Sequence, residues 1–369
     1  MNELCTADGR IRLPAFLPDA TRGVVRSLDS EDLARVGVEG IVVNVLHLSS
    51  DPGASVISGL GGIGRFMGWK GVVACDSGGF QVYSLIARSA KMGSVSERGF
   101  SYRLGQGQKK EMLTPEKCIE RQFQIAANLM FCLDYCTHPD APADVQRESV
   151  ERTIAWARRC KEEFSRRLES VASRGHRPML FAVVQGGADR DLRRRCAEEL
   201  LEIGFDGYGY GGWPVDSKGS LVEMVEYVRE LVPREFLLHG LGIGKPESVV
   251  RCAKIGYQLF DCVLPTRDAR HGRLYVSTDG FADLTAEDGS CYEYLYIRDD
   301  RYRRDERTLE EGCDCPACGS HSRSYLRHLF EIGDAAGWRL ATLHNLRFYA
   351  RLMEKLQSQR DRGGGPQSG

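Results

Sequence analysis

Short apolar runs recur along the chain, each bounded by turn residues and followed by a stretch whose apolar positions have helical spacing. Gly40–Val45, Gly71–Cys75, Leu129–Asp134, Met179–Gln185, Asp206–Gly212, Phe236–Leu241 and Gln258–Val263 are seven such runs. None alternates cleanly with polar residues, the pattern of a strand buried on both faces. Leu274–Ser277, or a strand formed further on, is the candidate for an eighth. The interval after Gln185 shows the logic of the connections. Gly186-Gly187 make a turn, Asp189 caps a helix, and Leu192, Cys196, Leu200 and Ile203 fall on one face. Arg193, Arg194, Glu198 and Glu199 lie elsewhere on it, and Gly204 ends it. Strand–helix units repeated about eight times predict an α/β fold closed as a (β/α)8 TIM barrel, with an open doubly wound sheet as the alternative.

Three segments break this rhythm. Residues 90–110 are polar and Gly-rich, with Phe100 and Tyr102 alternating with polar positions, and read as a hairpin-like excursion after the second strand. Thr114-Pro115-Glu116 then opens a helix. Residues 279–334 are charged and tyrosine-rich at first and lead into a cysteine cluster, which marks a separate metal-binding subdomain after a barrel of residues 1–278. A closing helix spans 335–358, and the Gly/Ser/Gln-rich residues 359–369 read as a disordered tail.

Composition narrows the setting. With 369 residues, 42% hydrophobic and 27% charged, the chain fits one large domain with an appendage. A formal net charge of −1 carries no bulk sign of a nucleic-acid partner, so any such surface must be local. The first residues lack a basic-then-apolar signal, and no apolar stretch approaches the ~20 residues of a membrane helix, which predicts a cytoplasmic protein with no membrane partner. Of 13 cysteines, several, such as Cys75, Cys132, Cys252 and Cys262, stand singly in apolar runs as small core residues.

The strand ends carry the chemistry. Asp76 ends the second run and is followed by Ser77-Gly78-Gly79; Asp134 ends the third, and Gln185-Gly186-Gly187 the fourth. Gly211-Gly212-Trp213, Gly240-Leu241-Gly242 and Asp261 follow, with Asn44 and His47 at the first. A lone Asp-Ser-Gly-Gly reads equally well as a turn aspartate capping the next helix. Carboxylates at corresponding ends of three strands read instead as one pocket. Nothing there suggests a hydrolase triad or a catalytic metal. Two carboxylates flanking a carbon suit displacement at a glycosidic centre, one as nucleophile and one as acid/base. A third, beside an amide and open backbone N–H groups, suits a planar heterocycle with the donors and carbonyl of guanine.

Cys313, Cys315 and Cys318 give three sulfurs at metal-ligand spacing, leaving one tetrahedral position. His344 lies downstream in an apolar helical stretch, while His321 and His328 are nearer in sequence. Three thiolates and an imidazole form a closed shell without a place for water, hence a structural zinc site.

These residues together resemble the tRNA-guanine transglycosylase family. The matching pieces are Asp76-Ser-Gly-Gly-Phe-Gln-Val82, Val184-Gln-Gly-Gly187, Gly204-Phe-Asp-Gly-Tyr208 with Gly211-Gly212, Gly242-Ile-Gly-Lys-Pro246, Phe260-Asp-Cys-Val-Leu-Pro-Thr-Arg267, the three cysteines and His344-Asn345. The resemblance runs from about Pro14 to Leu356. It implies a (β/α)8 barrel with an inserted zinc subdomain, and exchange of guanine at the wobble position of tRNA for a 7-deazaguanine base. By the same resemblance Asp261 is the nucleophile that forms a covalent intermediate, and Asp76 the acid/base. Ser77, Phe80, Asp134, Gln185, Gly212 and Leu241 hold the base. Gly242, Gly244, Lys245, Thr266, Arg267 and Arg270 belong to loops that grip the anticodon. Cys313, Cys315, Cys318 and His344 hold one structural Zn2+, and the partners are tRNA and a second copy of the chain in a homodimer.

Some positions depart from the family pattern. The strand pair that covers the barrel floor is expected to be short or missing, since Leu13–Pro18 begins almost at once. Leu48-Ser-Ser-Asp51 after Asn44-Val-Leu-His47 is atypical, Ala269 and His271 vary the arginine loop, and Trp213 replaces a smaller residue beside the pocket. By the same comparison with the family pattern, the C-terminal RNA-binding extensions of archaeal relatives are not expected. Cys136 and Val215 match a bacterial-type pocket and favour preQ1 as the incoming base over queuine, although Val184–Gly187 and Ala269-Arg270 look more eukaryote-like. The rival readings are a non-catalytic tRNA-binding paralogue, which would lack one of the two aspartates, and an enzyme acting on guanine in DNA.

Overall fold

The computed structural model describes residues 2–105, 109–171, 177–282, 284 and 291–363. The chain opens with a hairpin, β1 (Glu3–Cys5) paired antiparallel with β2 (Arg10–Arg12). Eight strands then form the barrel: β3 (Ala15–Pro18), β4 (Gly40–Asn44), β5 (Val72–Asp76), and, after an excursion, β9 to β13. The excursion is a three-stranded antiparallel sheet of β6 (Gly93–Ser96), β7 (Gly99–Tyr102) and β8 (Glu111–Leu113). The remaining barrel strands are β9 (Leu129–Phe131), β10 (Met179–Val184), β11 (Gly207–Tyr210), β12 (Leu237–Gly240) and β13 (Leu259–Cys262). All neighbours are parallel in the order β3-β13-β12-β11-β10-β9-β5-β4. The two ends meet through the parallel bridge of Asp19 with Val42 and the hydrogen bond from Ala20 N to Val42 O at 2.7 Å. The barrel therefore closes, as the strand–helix repeat predicts.

One strand differs from expectation. Residues 273–277 form β14 (Arg273–Ser277), which pairs antiparallel with β15 (Tyr292–Tyr296) outside the barrel. The missing barrel strand is β3, a four-residue run flanked by Pro14 and containing Pro18. Proline reads as a loop signal, but here β3 takes its place between β13 and β4.

The barrel interior is filled by alternate residues. Ala15 and Leu17, Val42, Val72 and Ala74, Leu129 and Phe131, Phe181 and Val183, Leu237 and Leu259 form one buried cluster. Leu4, Ile11 and Leu13 join it from below, so the floor-covering pair is present but short, at three residues per strand. Strand β11 contributes glycines, because a Cβ at Gly207 would stand 2.3 Å from the Phe181 ring. Outside, the helix Pro115–Ile125 starts at Thr114, whose side chain accepts from Lys117 N. The helix Arg190–Ile203 is capped by Asp189, as expected. Arg193, however, is not on its outer face: it is 1% exposed and points beneath the strand ends.

The helix Ala335–Gly363 runs through 359–363, where the tail was expected; 364–369 lie outside the described residues. It fastens the appendage to the barrel. Tyr349 packs on Phe16 with ring centroids 4.5 Å apart, Gln357 Nε2 donates to Pro14 O at 3.0 Å, and Asn345 bonds Tyr275 N, Pro265 O and Arg273 O. Among the described residues no helix is long and apolar enough to cross a membrane.

Candidate active site

In five of the eight barrel strands, the position one step beyond the last apolar interior residue is a polar group. The series is Asp19 after Leu17, Asn44 after Val42, Asp76 after Ala74, Gln185 after Val183 and Asp261 after Leu259. Period-two alternation places these side chains in one layer at the C-terminal mouth of the barrel. The glycines of β11 and Gly211 keep the centre of the layer open: a Cβ on Gly211 would lie 2.7 Å from Gln185 Nε2. Leu241 leans over this glycine strip from the end of β12.

Asp76 is held through Oδ2, which accepts from Asn44 Nδ2 at 2.8 Å and from Gln81 Nε2 at 3.1 Å. Burial, with the nearby charge of Asp261 next, raises its pKa above that of an ordinary aspartate. Asp261 is held through Oδ1, which meets His239 Nε2 at 3.0 Å and accepts from Gly242 N at 3.3 Å. Its side chain is 21% exposed and faces the mouth. Asp134 follows β9 and accepts from Gln185 Nε2 at 2.6 Å, with Ser77 Oγ at 3.5 Å from its other oxygen. Burial pushes its pKa up to about 6, against the lowering effect of the Gln185 bond. Gly79 lets the Ser77 turn reach this carboxylate, since a Cβ there would stand 2.8 Å from Asp134 O.

Phe80 and Trp213 stand over the layer with their rings exposed and meet edge to face at 5.6 Å. On the Phe80 side a cavity of about 820 Å³ is lined by Gln81, His47, Arg22 and Arg88. On the Trp213 side a cavity of about 550 Å³ is lined by Gln185, Gly212, His138, Val215, Asp140 and Asp216. Such a layer can hold a flat, hydrogen-bonding ring under its aromatic cover, with two separately anchored carboxylates at the same mouth.

The buried group of Cys313, Cys315, Cys318 and His344 has its ligand atoms all within 4.8 Å of one another. His344 Nε2 lies 2.8 Å from Tyr275 O, a bond in which it donates, so the lone pair of Nδ1 faces the three sulfurs at 3.4–3.8 Å. His321 instead stacks on Tyr325 with centroids 5.1 Å apart. The set can hold a metal ion, and its chemistry fits zinc.

Residues 1–363 match the family model described as queuine tRNA-ribosyltransferase. The chain belongs to this family. Proteins named queuine tRNA-ribosyltransferase match it over nearly its whole length. That of Symbiobacterium thermophilum is 38% identical over 359 residues, covering 97% of this chain and 83% of the relative. That of Syntrophobacter fumaroxidans is 38% identical, covering 96% and 88%, and that of Staphylococcus aureus 34%, covering 95% and 86%.

In this queuine tRNA-ribosyltransferase family member the tertiary structure brings Asp76, Ser77, Phe80, Asp134, Gln185, Gly212, Leu241 and Asp261 to one mouth. Gly242 is exposed beside Asp261, Arg267 is exposed and Lys245 half-buried at the rim. Thr266 is buried and its hydroxyl donates to Val263 O at 3.2 Å, Arg270 Nη1 donates to Thr266 O at 2.8 Å, and Gly244 is packed against Cys262. These three shape the loops from within.

The roles of five side chains escaped the sequence reading, which placed Asn44 at a strand end without a partner. Gln81 and Asn44 fasten Asp76, and Gln81 Oε1 is buried with no partner among the described residues, an acceptor available to a ligand. Asp19 adds a carboxylate whose pKa is raised by burial and by the charge of Asp261. Arg193 donates to Gly211 O at 2.9 Å, Gly187 O at 3.0 Å and Tyr210 Oη at 3.1 Å, tying together the turns that carry Gln185 and Gly212. His239 interrupts an otherwise apolar run, the one signal that could have marked it.

Proposed function

We propose that the protein exchanges guanine at the wobble position of tRNA for a 7-deazaguanine base by two displacements at the ribose C1′. Asp261 Oδ2 attacks C1′; the bond from C1′ to the base nitrogen breaks, and guanine leaves with that electron pair and takes a proton from Asp76. The raised pKa of Asp76 suits it to hold that proton near neutrality. After guanine departs, the incoming base gives its proton to the Asp76 carboxylate and attacks C1′, releasing Asp261. Two inversions leave the original configuration, and the energy of the first bond is conserved in the ester. Asp134 accepts from the N–H edge of the purine, Gln185 and the Gly212 backbone serve its carbonyl, and Phe80 covers its face.

The observation that carries this reading is the placement of Asp76 and Asp261 in one layer, with the Asp134–Gln185 pair beside them under the Phe80–Trp213 cover. Retention of both aspartates also argues against a non-catalytic subunit. The base favoured is preQ1. Cys136 is buried behind Asp134, Val215 lines the adjoining cavity, and Trp213 narrows it with His138 at 5.8 Å, leaving a place for a small cationic substituent near Asp140 and Asp216. The Cys3His set would hold one zinc per chain as a structural cross-link.

Radiolabelled guanine incubated with tRNA bearing a wobble guanine is expected to enter the tRNA, with preQ1 competing better than queuine. Asp261→Asn lowers incorporation by roughly a thousandfold or more. Incorporation into DNA and into no tRNA would overturn the reading.

A further inference from the structure

The nucleophile assigned to Asp261 has a neighbour that neither the motif nor the strand-end pattern contains. His239 lies on β12 in the strand register beside Leu259, one layer below Asp261, and is fully buried. Its ring stands edge to face on Phe131 at 5.3 Å and brings Nε2 to 3.0 Å from Asp261 Oδ1. A carboxylate oxygen only accepts, so this bond requires the proton on Nε2. Nδ1 is buried and has no hydrogen-bond partner among the described residues. A buried polar atom left unpaired carries a cost of about 1–3 kcal/mol. A phenylalanine or leucine in this apolar layer would avoid that cost, so the imidazole is accounted for by the one bond it makes.

We infer that His239 is a positioning residue for displacement at C1′: it donates through Nε2 to Asp261 Oδ1, pins the carboxylate plane and leaves Oδ2 facing the ribose. The inference rests on the reading of Asp261 as nucleophile. Gly242 N supplies a second donor to the same oxygen, so both restraints act on Oδ1. When Oδ2 bonds C1′, Oδ1 becomes the ester carbonyl oxygen and still accepts from both donors, so the anchor persists through both half-reactions. No Lys or Arg forms an ion pair with Asp261 among the described residues, which leaves the carboxylate without the full countercharge that would blunt its nucleophilicity. A donor rising from the dry floor of the barrel orients the carboxylate without a lysine or arginine beside it.

The test compares His239→Phe, which keeps the ring on Phe131 and removes the donor, with His239→Gln, which can return an N–H. Single-turnover formation of the tRNA–protein adduct on denaturing gels, and steady-state guanine exchange, are followed in both. His239→Phe is expected to lower adduct formation and kcat by roughly 30-fold while KM for tRNA changes by less than about twofold, and His239→Gln to recover most of the rate. Thermal unfolding of each variant checks the fold. An unchanged adduct rate in folded His239→Phe, or a loss shared equally by KM, overturns the positioning role. If wild type forms an adduct that Asp261→Asn abolishes, that failure concerns His239 alone. If Asp261→Asn still forms the adduct, the nucleophile reading fails and the inference falls with it.

Discussion

The barrel mouth and the cysteine centre are both clusters of polar side chains in buried surroundings, yet they are built oppositely. At the centre, three thiols and one imidazole converge on a single point, and the second nitrogen of His344 is taken by Tyr275 O. Its first and last ligands lie 31 positions apart, and the surroundings are further tied by Arg347 to Asp314 and Arg351 to Glu310. Nothing is left over for a substrate. At the mouth the groups arrive from separate strands around the barrel, each carboxylate is anchored chiefly through one oxygen, and Gln81 Oε1 and His239 Nδ1 lack partners among the described residues. A closed shell converts its chemistry into stability. An open layer keeps raised pKa values at Asp76 and Asp134, which folding tolerates because the barrel below it is so well packed.

The contrast breaks most visibly at the metal ligands. Cys315→Ser should empty the site and lower the melting temperature by roughly 5–10 °C, because an incomplete shell cannot hold the appendage to the long helix. Guanine affinity of the remaining folded protein should change by less than about twofold. Metal analysis, calorimetry and equilibrium dialysis measure the three quantities, and a metal-free protein of full stability would erase the distinction drawn here.

The mouth should respond to pH instead. Asp134 must be ionised to accept from the purine N–H groups, and its pKa is pushed up to about 6. Guanine affinity is therefore expected to be flat above about pH 7 and to fall progressively below about pH 6, approaching tenfold per pH unit once the carboxyl is protonated. Equilibrium dialysis across pH 5–8 would show it; an affinity independent of pH through that range counts against Asp134 as the base reader.

A smaller effect has the opposite sign. Between the ordinary aspartate value of 3.8 and about 6 the folded protein binds a proton at Asp134 that the unfolded chain has released. Stability contributed by this group therefore falls as pH rises through that window, and the ionised carboxylate destabilises the fold above it. Asp134→Asn should accordingly gain on the order of 1–2 kcal/mol over the wild type at pH 8, and little at pH 4, while losing base exchange. Denaturant unfolding at the two pH values reads this directly, and a variant less stable than wild type at pH 8 would show the carboxylate to be structural.

Much of this architecture was legible along the chain. Apolar runs of β4, β5 and β9–β13 announce themselves because strands buried on both faces are almost wholly apolar, His239 in β12 being an exception, and the acids at their ends stand out for the same reason. The three cysteines were legible because metal geometry demands close spacing. β3 was not, since its prolines signal a loop and only the gap between β13 and β4 makes a strand of it. Arg193 was read as an outer helix residue; what draws it inward is the set of carbonyls at Val184, Gly187 and Gly211, which no local pattern records.

The sequence by itself determined which residues can do chemistry here: the type of each strand, the acids that end them, and the sulfurs that wait for a metal. These follow from local rules of burial, spacing and ligand preference. Tertiary structure alone decided the partners. It set His239 under Asp261 and placed Asn44 and Gln81 on Asp76. Those choices depend on barrel closure and strand register, which bring together residues far apart in sequence. A one-residue slip in β5 or β13 would turn Asp76 or Asp261 away from the mouth.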